Sequence, residues 1–547
     1  MRSIEPDVRT TCRFSGDRFR KASRITMVAL KKGMAALRTR RLECLRTRRA
    51  RGTYVALAAA AIAVAVPAWI VVARGATPTV PITTAPGSDV AHIVEARRRA
   101  DFAAMQTFRP GYGFWRHVFT LPDGSIAFGS ASDGRLLATF PARGDWTRHA
   151  VWVDPTLAGL LDGQQLARKV GERRDQVAEL LERATGPVLQ NSTRGDALLR
   201  SVPKYGSFVA EWGAIYERFG VPGEIGLAQV ILESGLNGTR RSEANAVGFC
   251  QWLRKNWKRL NYFSPDPIEQ ENQTSQAPYC AAYLSVLATK YGSFIPALSE
   301  HNAGGTNVGR ALINGEHLGA QDVRAQYFLG SKLARDLRTL QSKEYEDVYY
   351  SYGPRSYLYA EMVFGNTFNV TELAASIPQE PIHAMRTPRV LSLAEIVRRT
   401  GLARAEVQRF NPALGDRLQS GETLYLPYYV SGFGPDVAFW HRPPAAAYLT
   451  VLDDFLRLDA GPEQWDDPTF APVLADFRRR FRNTNTEEGT VMDTVLAYVM
   501  DQAYTSSRRT LLSDFRRDEK VQRLIERGVR ELDILHAPSL PVSLATF

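Results

Sequence analysis

A run of 20 residues without a charge, "YVALAAAAIAVAVPAWIVVA" from Tyr54 to Ala73, divides this chain more sharply than any other feature. A helix of that length reaches about 30 Å, the thickness of the hydrocarbon core of a bilayer. Residues 1–52 ahead of it hold 16 Lys+Arg and 4 Asp+Glu, and the other 495 residues hold 53 of each sign. The formal charge of +12 therefore belongs to the tail, and the rest of the chain lacks the basic surplus of a nucleic-acid-binding protein. Arg46, Arg48, Arg49 and Arg51 flank the run and predict a cytoplasmic N-terminus, with everything after Arg74 on the far side of the membrane. Pro67 predicts a kink. A cleaved export signal is the rival reading, because Val71 and Ala73 fit a small-residue cleavage pattern. A buried core helix is the third reading.

The exported part is long enough for several cores. "GATPTVPITTAPGS" from Gly75 reads as a linker, and "VEARRRADFAAM" as a short helix. In Phe114 to Phe140, the Asp123-Gly124 and Asp133-Gly134 turn signals separate short apolar runs and predict a small β-meander. Its aromatics, with Trp115 and Trp146, read as sheet core before they read as a sugar-binding face. Helical spacing begins after Ala158 and continues to about residue 370, and "IPQEP" at Ile377–Pro381 marks a boundary. Cys12 and Cys44 lie in the basic tail, whereas Cys250 and Cys280 lie where oxidation is possible, either bonded to each other or as buried thiols. The eight histidines show no metal-ligand spacing, so neither a metal nor a cofactor is assigned.

One carboxylate stands out. Leu227, Ala228, Val230, Ile231 and Leu232 lead into Glu233. Val221-Pro222-Gly223 reads as the start of this helix, and Gly235 as its stop after Ser234. Apolar surroundings and the negative end of a helix dipole both favour a neutral acid. Such an acid can protonate a leaving oxygen. The helix alone also admits a glutamate that turns outward at its end. Downstream, Gly248 precedes Gln251 by three residues, and Asn302-Ala303-Gly304 closes a later helix. Glycine lets a backbone approach a ligand, and an amide suits sugar hydroxyls and acetamido groups.

These motifs, in this order, resemble the lytic transglycosylases with a goose-type-lysozyme-like fold, most closely the membrane-bound ones that carry LysM modules. The family pattern E-S-x-F/L-N is met by Glu233-Ser234-Gly235-Leu236-Asn237. A-x-G-x-W/M-Q is met by Ala246-Val247-Gly248-Phe249-Cys250-Gln251. A-L-x-A-Y-N-A-G is met by Ala297-Leu298-Ser299-Glu300-His301-Asn302-Ala303-Gly304, and the late tyrosine by Tyr357 in "YGPRSYLYAEMV". The resemblance covers about residues 205–370. It implies cleavage of the β-1,4 bond between N-acetylmuramic acid and N-acetylglucosamine of peptidoglycan, with Glu233 as the catalytic acid and then base. Ser234, Gly248, Gln251, His301, Asn302, Ala303, Gly304 and Tyr357 would contact or position the substrate. The chain departs from the pattern in four places. His301 replaces a tyrosine, Cys250 replaces Trp or Met, and "WLRKNWKRLNY" replaces a proline-containing turn. Glu300 stands where the family has alanine, and a second carboxylate there would allow water to enter as in a hydrolytic muramidase.

"IHAMRTPRVLSLAEIVRRTGLARAEVQRFNPALGDRLQSGETLYLPYY" reads strand, helix, helix, strand, and its closing "LQSGETLYLP" resembles a LysM domain. The Gly-Asp-Thr usual after the first LysM strand is replaced by "PRVLS", which leaves a glycan-binding module and a structural spacer both open. Residues 440–547 hold helical runs without recognisable chemistry.

The expected fold class is α+β, predominantly α. The expected order is a basic cytoplasmic tail (1–52), a transmembrane helix or signal anchor (53–74), a linker (75–92), a small β-rich region (93–157) and a helical segment (158–204). A lysozyme-like helical catalytic domain (205–376), a small βααβ LysM-like domain (380–432) and a helical C-terminal region (440–547) complete it. The expected partners are peptidoglycan glycan strands and, through the N-terminal helix, the bacterial inner membrane, with the catalytic domain in the periplasm or cell-wall space. A peptidoglycan-binding scaffold without activity is the alternative from a different functional class.

Overall fold

The computed structural model describes residues 89–340, 343–348, 356–458, 460–504 and 511–535, and the apolar run Tyr54–Ala73 with its basic tail lies outside them. Among the described residues no helix is long and apolar enough to cross a membrane. Helix α1, Asp89–Phe108, begins within the span read as linker and buries Val90, Val94, Phe102 and Met105. A short helix α2, Trp115–Thr120, leads to strands β1, Ser125–Ser130, and β2, Leu136–Pro141. Gly134, at φ +73°, makes the turn between these strands that Asp133-Gly134 predicts. Strand β3, Val151–Trp152, helix α3, Val170–Thr185, and strand β4, Val188–Ser192, complete an antiparallel sheet in the order β3-β2-β1-β4. Strand β4 lies in the span 158–204 read as a helical segment, so the β-region extends past residue 157. Gly186 at φ +85° stops α3, and the uncharged stretch after it covers the open edge of β1 from Ile126↔Ser192 to Ser130↔Val188. Trp146 stacks on Phe140 at 4.8 Å and is 1% exposed, so it is sheet core. Trp115 is not on the sheet: its Nε1 donates to Glu361 Oε1 at 2.9 Å.

The helical body follows with α4, Asp196–Tyr205, α5, Val209–Glu217, and α6, Gly223–Ser234. Helix α6 is buried almost all round because glycines remove the side chains on its contact faces. A Cβ on Gly226 would stand 2.0 Å from the Tyr216 ring, and one on Gly223 would stand 3.0 Å from Gly213. Pro222 precedes its first turn and Gly235, in the left-handed conformation, ends it, as the sequence predicts. A two-stranded hairpin, β5, Ala246–Val247, and β6, Trp252–Leu253, leads to α7, Arg254–Phe263. Next come α8, Gln273–Tyr291, α9, Phe294–Ala303, α10, Gly305–His317, and α11, Val323–Thr339. Helix α12, Tyr359–Ser376, returns to pack along α6. Asp101 of α1 is fully buried and holds the start of α9. It accepts from Ser293 Oγ and the Phe294 N–H, each at 2.7 Å, and from Arg324 Nε at 2.5 Å.

Strand β7, Ile382–Arg386, the short strand β8, Leu391–Ser392, helices α13, Leu393–Thr400, and α14, Arg404–Phe410, and strands β9, Arg417–Leu418, and β10, Thr423–Pro427, follow in chain order. Strands β7 and β10 pair antiparallel, and β8 pairs with β9, so the strand–helix–helix–strand order read from the sequence is present. This segment has its own apolar core around Leu393, Ile396, Val407 and Leu424. It rests on the helical body through Phe410, whose ring lies 4.8 Å from that of Phe208, and through Asn272 Nδ2, which donates to the Phe410 carbonyl.

The last part is helical: α15, Ala446–Leu456, α16, Gly461–Asp466, α17, Ala471–Arg482, α18, Glu487–Tyr504, α19, Leu512–Arg517, and α20, Glu519–Leu535. These helices are not a separate layer. One apolar core runs from Val90 of α1 through α6, α8 and α12 to Tyr498 of α18. Tyr498 stacks on Trp252 at 5.8 Å, and Arg259 of α7 holds Asp501 of α18 through Nε and Nη2.

Candidate active site

Helix α6 delivers Glu233 at its last turn, with the side chain 18% exposed. Burial pushes the Glu233 carboxyl up to about 7, against the opposing pull of the Tyr359 hydroxyl and the Arg240 charge. The helix C-terminus adds to the preference for the neutral form. Tyr359, the first residue of α12, donates its hydroxyl to Glu233 Oε1. Gln229 lies one turn earlier on α6, and its Nε2 donates to that hydroxyl at 3.3 Å. Burial, then the neighbouring carboxylate, hold the Tyr359 phenol well above its ordinary range, so it remains a donor.

His301, near the end of α9, places Nε2 3.7 Å from the same Oε1. Its ring stacks on Tyr359 at 6.3 Å and meets Tyr283 edge-on at 6.2 Å. Burial pushes the imidazole down to about 4, against the Cys250 backbone. His301 is therefore neutral near pH 7, and the site holds a carboxyl of tuned acidity beside an uncharged ring.

The predicted site residues divide into those beside the carboxyl and those that build the scaffold. Ser234 is fully buried, and its Oγ donates to the carbonyls of Val230 (3.2 Å) and Phe249 (3.0 Å), which latches α6 to the β5–β6 hairpin. Gly248, at φ +91°, leaves room for the Gln276 amide, whose Oε1 would stand 2.2 Å from a Cβ there and accepts from the Phe249 N–H. Gln251, at φ +51°, donates from Nε2 to the carbonyls of Arg240 and Gly248, both at 2.9 Å. Its amide nitrogen thus ties the Arg240 loop to the hairpin. Asn302 and Gly304 are exposed at the junction of α9 and α10, Ala303 lies half-buried between them, and Gly304 bends the chain at φ +83°.

Tyr357 does not join this group. Its hydroxyl accepts from Arg335 Nη1 at 2.7 Å, and the guanidinium groups of Arg335 and Arg109 lie 4.7 Å and 5.6 Å from its ring. Tyr359 is the tyrosine on the carboxylate. The two residues sit at the entry to α12, and two residues turn a helical chain by about 200°, to the opposite face. The signal was in "YLY", but local pattern does not choose between its tyrosines. Gln229 was likewise hidden in the apolar run before Glu233.

Cys250 and Cys280 form a disulfide, with Cα atoms 6.1 Å apart, which ties the hairpin to α8. Glu300 is held by the Tyr291 hydroxyl and by Lys290 Nζ at 3.2 Å, and Lys290 also reaches Asp466 at 3.3 Å. This charge network joins α8, α9 and α16, and Glu300 lines the same cavity as His301.

Two cavities adjoin the carboxyl's neighbours. One of about 600 Å³ is lined by His301, Gly304 and Thr306 and, across from them, by Trp465, Tyr498 and Gln502 of the C-terminal helices. The other, of about 650 Å³, includes Ser234, Asn237 and Arg240. Glu233 lines neither space; His301, whose Nε2 is 3.7 Å from its Oε1, lines the first, and Arg240, whose charge acts on it, lines the second. No protein-family model matches the chain, and no curated protein matches it in sequence.

Proposed function

We propose that the protein is a lytic transglycosylase of peptidoglycan, with Glu233 as acid and then base. The observation that carries this reading is a mostly buried carboxyl, pushed up to about 7 and held by the Tyr359 hydroxyl beside a neutral His301. A group with that acidity is protonated in about half of the molecules near neutral pH, so it can serve both steps. Protonated Glu233 gives its proton to the glycosidic oxygen as the bond from that oxygen to C1 of the muramoyl residue breaks. The resulting carboxylate takes the proton of the C6 hydroxyl of the same residue, and O6 closes on C1. The products are a 1,6-anhydromuramoyl end and a free N-acetylglucosamine hydroxyl, with no water consumed and Glu233 protonated again.

Tyr359 and His301 both stand at Oε1, which leaves Oε2 to move the proton. The Tyr359 hydrogen bond stabilises the carboxylate formed after the first step, as preorganised donors do for developing charge. One carboxylate suffices for this chemistry, whereas a hydrolytic muramidase needs a second. The engagement of Glu300 by Lys290 and Tyr291 favours the single-carboxylate route.

The strand–helix–helix–strand segment at residues 382–427 fits a LysM-like glycan-binding role, and the apolar run at residues 54–73 fits attachment to the inner membrane with the catalytic body outside. The test is digestion of purified peptidoglycan with mass spectrometry of the products. Anhydromuropeptides from the wild type, lost in Glu233→Gln, are expected. Reducing-end products alone would sink the transglycosylase reading, and full activity in Glu233→Gln would sink the site.

A further inference from the structure

We infer that the cavity beside Arg240 binds the carboxylates of an acidic peptide carried by the glycan next to the scissile bond. The space of about 650 Å³ is lined by Arg194, Arg200, Lys204 and Arg240, with Asp123 as its one acidic residue. Outside the N-terminal tail the chain carries equal numbers of basic and acidic side chains, so four cations against one anion in a single cavity is a local concentration. Lys204 and Arg240 are exposed, and their charged ends reach solvent where a flexible ligand can meet them. Arg200 also pairs with Asp196 at 3.3 Å, an exposed contact that a ligand carboxylate can share.

Arg240 links this cavity to the acid, because its charge acts on Glu233 and its carbonyl is held by Gln251. Ser234, Asn237 and Thr239 also line the cavity, so a peptide bound there meets the stretch of chain that directly follows Glu233. Guanidinium groups bind carboxylates through paired N–H donors, so the cavity suits short chains bearing two or more carboxylates better than neutral sugar. That the peptide is the stem on the muramoyl residue rests on the reading of Glu233 above.

The experiment measures binding of the full-length protein in detergent to a soluble muramyl tetrapeptide, and to the same compound with its carboxylates converted to amides. The free acid is expected to bind at least about tenfold more tightly, with affinity falling as salt rises. Arg200→Gln/Lys204→Gln is expected to erase that difference, and Lys169→Gln/Arg523→Gln, with equal loss of charge on exposed side chains elsewhere, is expected to keep it. Equal binding of acid and amide by the wild type overturns the inference without any variant. A preference for the acid that survives in Arg200→Gln/Lys204→Gln, or is lost in Lys169→Gln/Arg523→Gln, overturns it too. Peptide binding with the expected pattern from a protein that yields no anhydromuropeptides would refute the catalytic reading and leave the anion site standing.

Discussion

Tyr359→Phe removes one hydroxyl and keeps the ring that stacks on His301, which makes it a direct probe of how Glu233 is tuned. The hydroxyl donates to the carboxylate and lowers its proton affinity, so its loss raises the Glu233 pKa above about 7. A hydrogen bond to a charged group contributes about 1.5–3 kcal/mol, and one pKa unit corresponds to about 1.4 kcal/mol, so the expected rise is about one to two units. In the proposed mechanism the free enzyme must hold Glu233 protonated, and kcat/KM falls as pH rises through its pKa. The alkaline limb of the wild-type profile is expected near 7. In Tyr359→Phe it is expected about one to two units higher, with a lower maximal rate because the carboxylate formed in the first step loses a donor. The assay is release of anhydromuropeptides from pH 5 to pH 10. A limb that stays in place or moves to lower pH would refute the reasoning. Tyr357→Phe is the companion: its hydroxyl is bound to Arg335, and the limb is expected to remain where the wild type has it.

Three further outcomes follow from the same geometry. Glu233→Gln is expected to stabilise the fold above neutral pH, because the folded-state pKa of about 7 lies above the ordinary 4.5 and ionising the buried carboxyl costs stability. The gain grows between those two values, reaches at most about 3 kcal/mol by pH 8 and vanishes at pH 4, and equal melting temperatures for variant and wild type at pH 8 would contradict it. Reduction of Cys250–Cys280, which closes a loop of sequence separation 30, is expected to cost roughly 3–4 kcal/mol, read as a lower melting temperature in dithiothreitol that Cys250→Ser/Cys280→Ser reproduces without reductant. Asp101→Ala leaves the start of α9 without its acceptor, while the half-buried Arg324 keeps Asp322 and the Gly292 carbonyl, and a loss of about 1–3 kcal/mol is expected in denaturant unfolding; a change within experimental error would count against the capping role.

Much of the local architecture was legible. The Pro222-Gly223 start and Gly235 stop bracket α6 where the rules for helix ends place them. The Asp133-Gly134 turn joins β1 and β2, and the β7-to-β10 segment follows the strand–helix–helix–strand pattern. Strand β4 was missed because its pairing partner β1 lies more than fifty residues earlier and nothing local marks it as an edge. At the site, Glu233 was visible as a carboxylate in an apolar run, whereas the roles of Ser234 and Gln251 were not. Both side chains bond to backbone carbonyls, and hydrogen bonds of that kind leave no residue pattern.

The sequence by itself determined where helices and turns begin and end, because those choices depend on side chains within about four residues of each other. It also determined that one glutamate would sit at the end of an apolar helix. Only the tertiary structure decided what surrounds that glutamate. Tyr359 reaches it across a separation of 126 residues, His301 loses its charge by burial, and Trp465 and Tyr498 come from helices with no legible chemistry to line the cavity beside it. Proton affinity depends on desolvation and on contacts at hydrogen-bond distance, and both are properties of packing rather than of order along the chain.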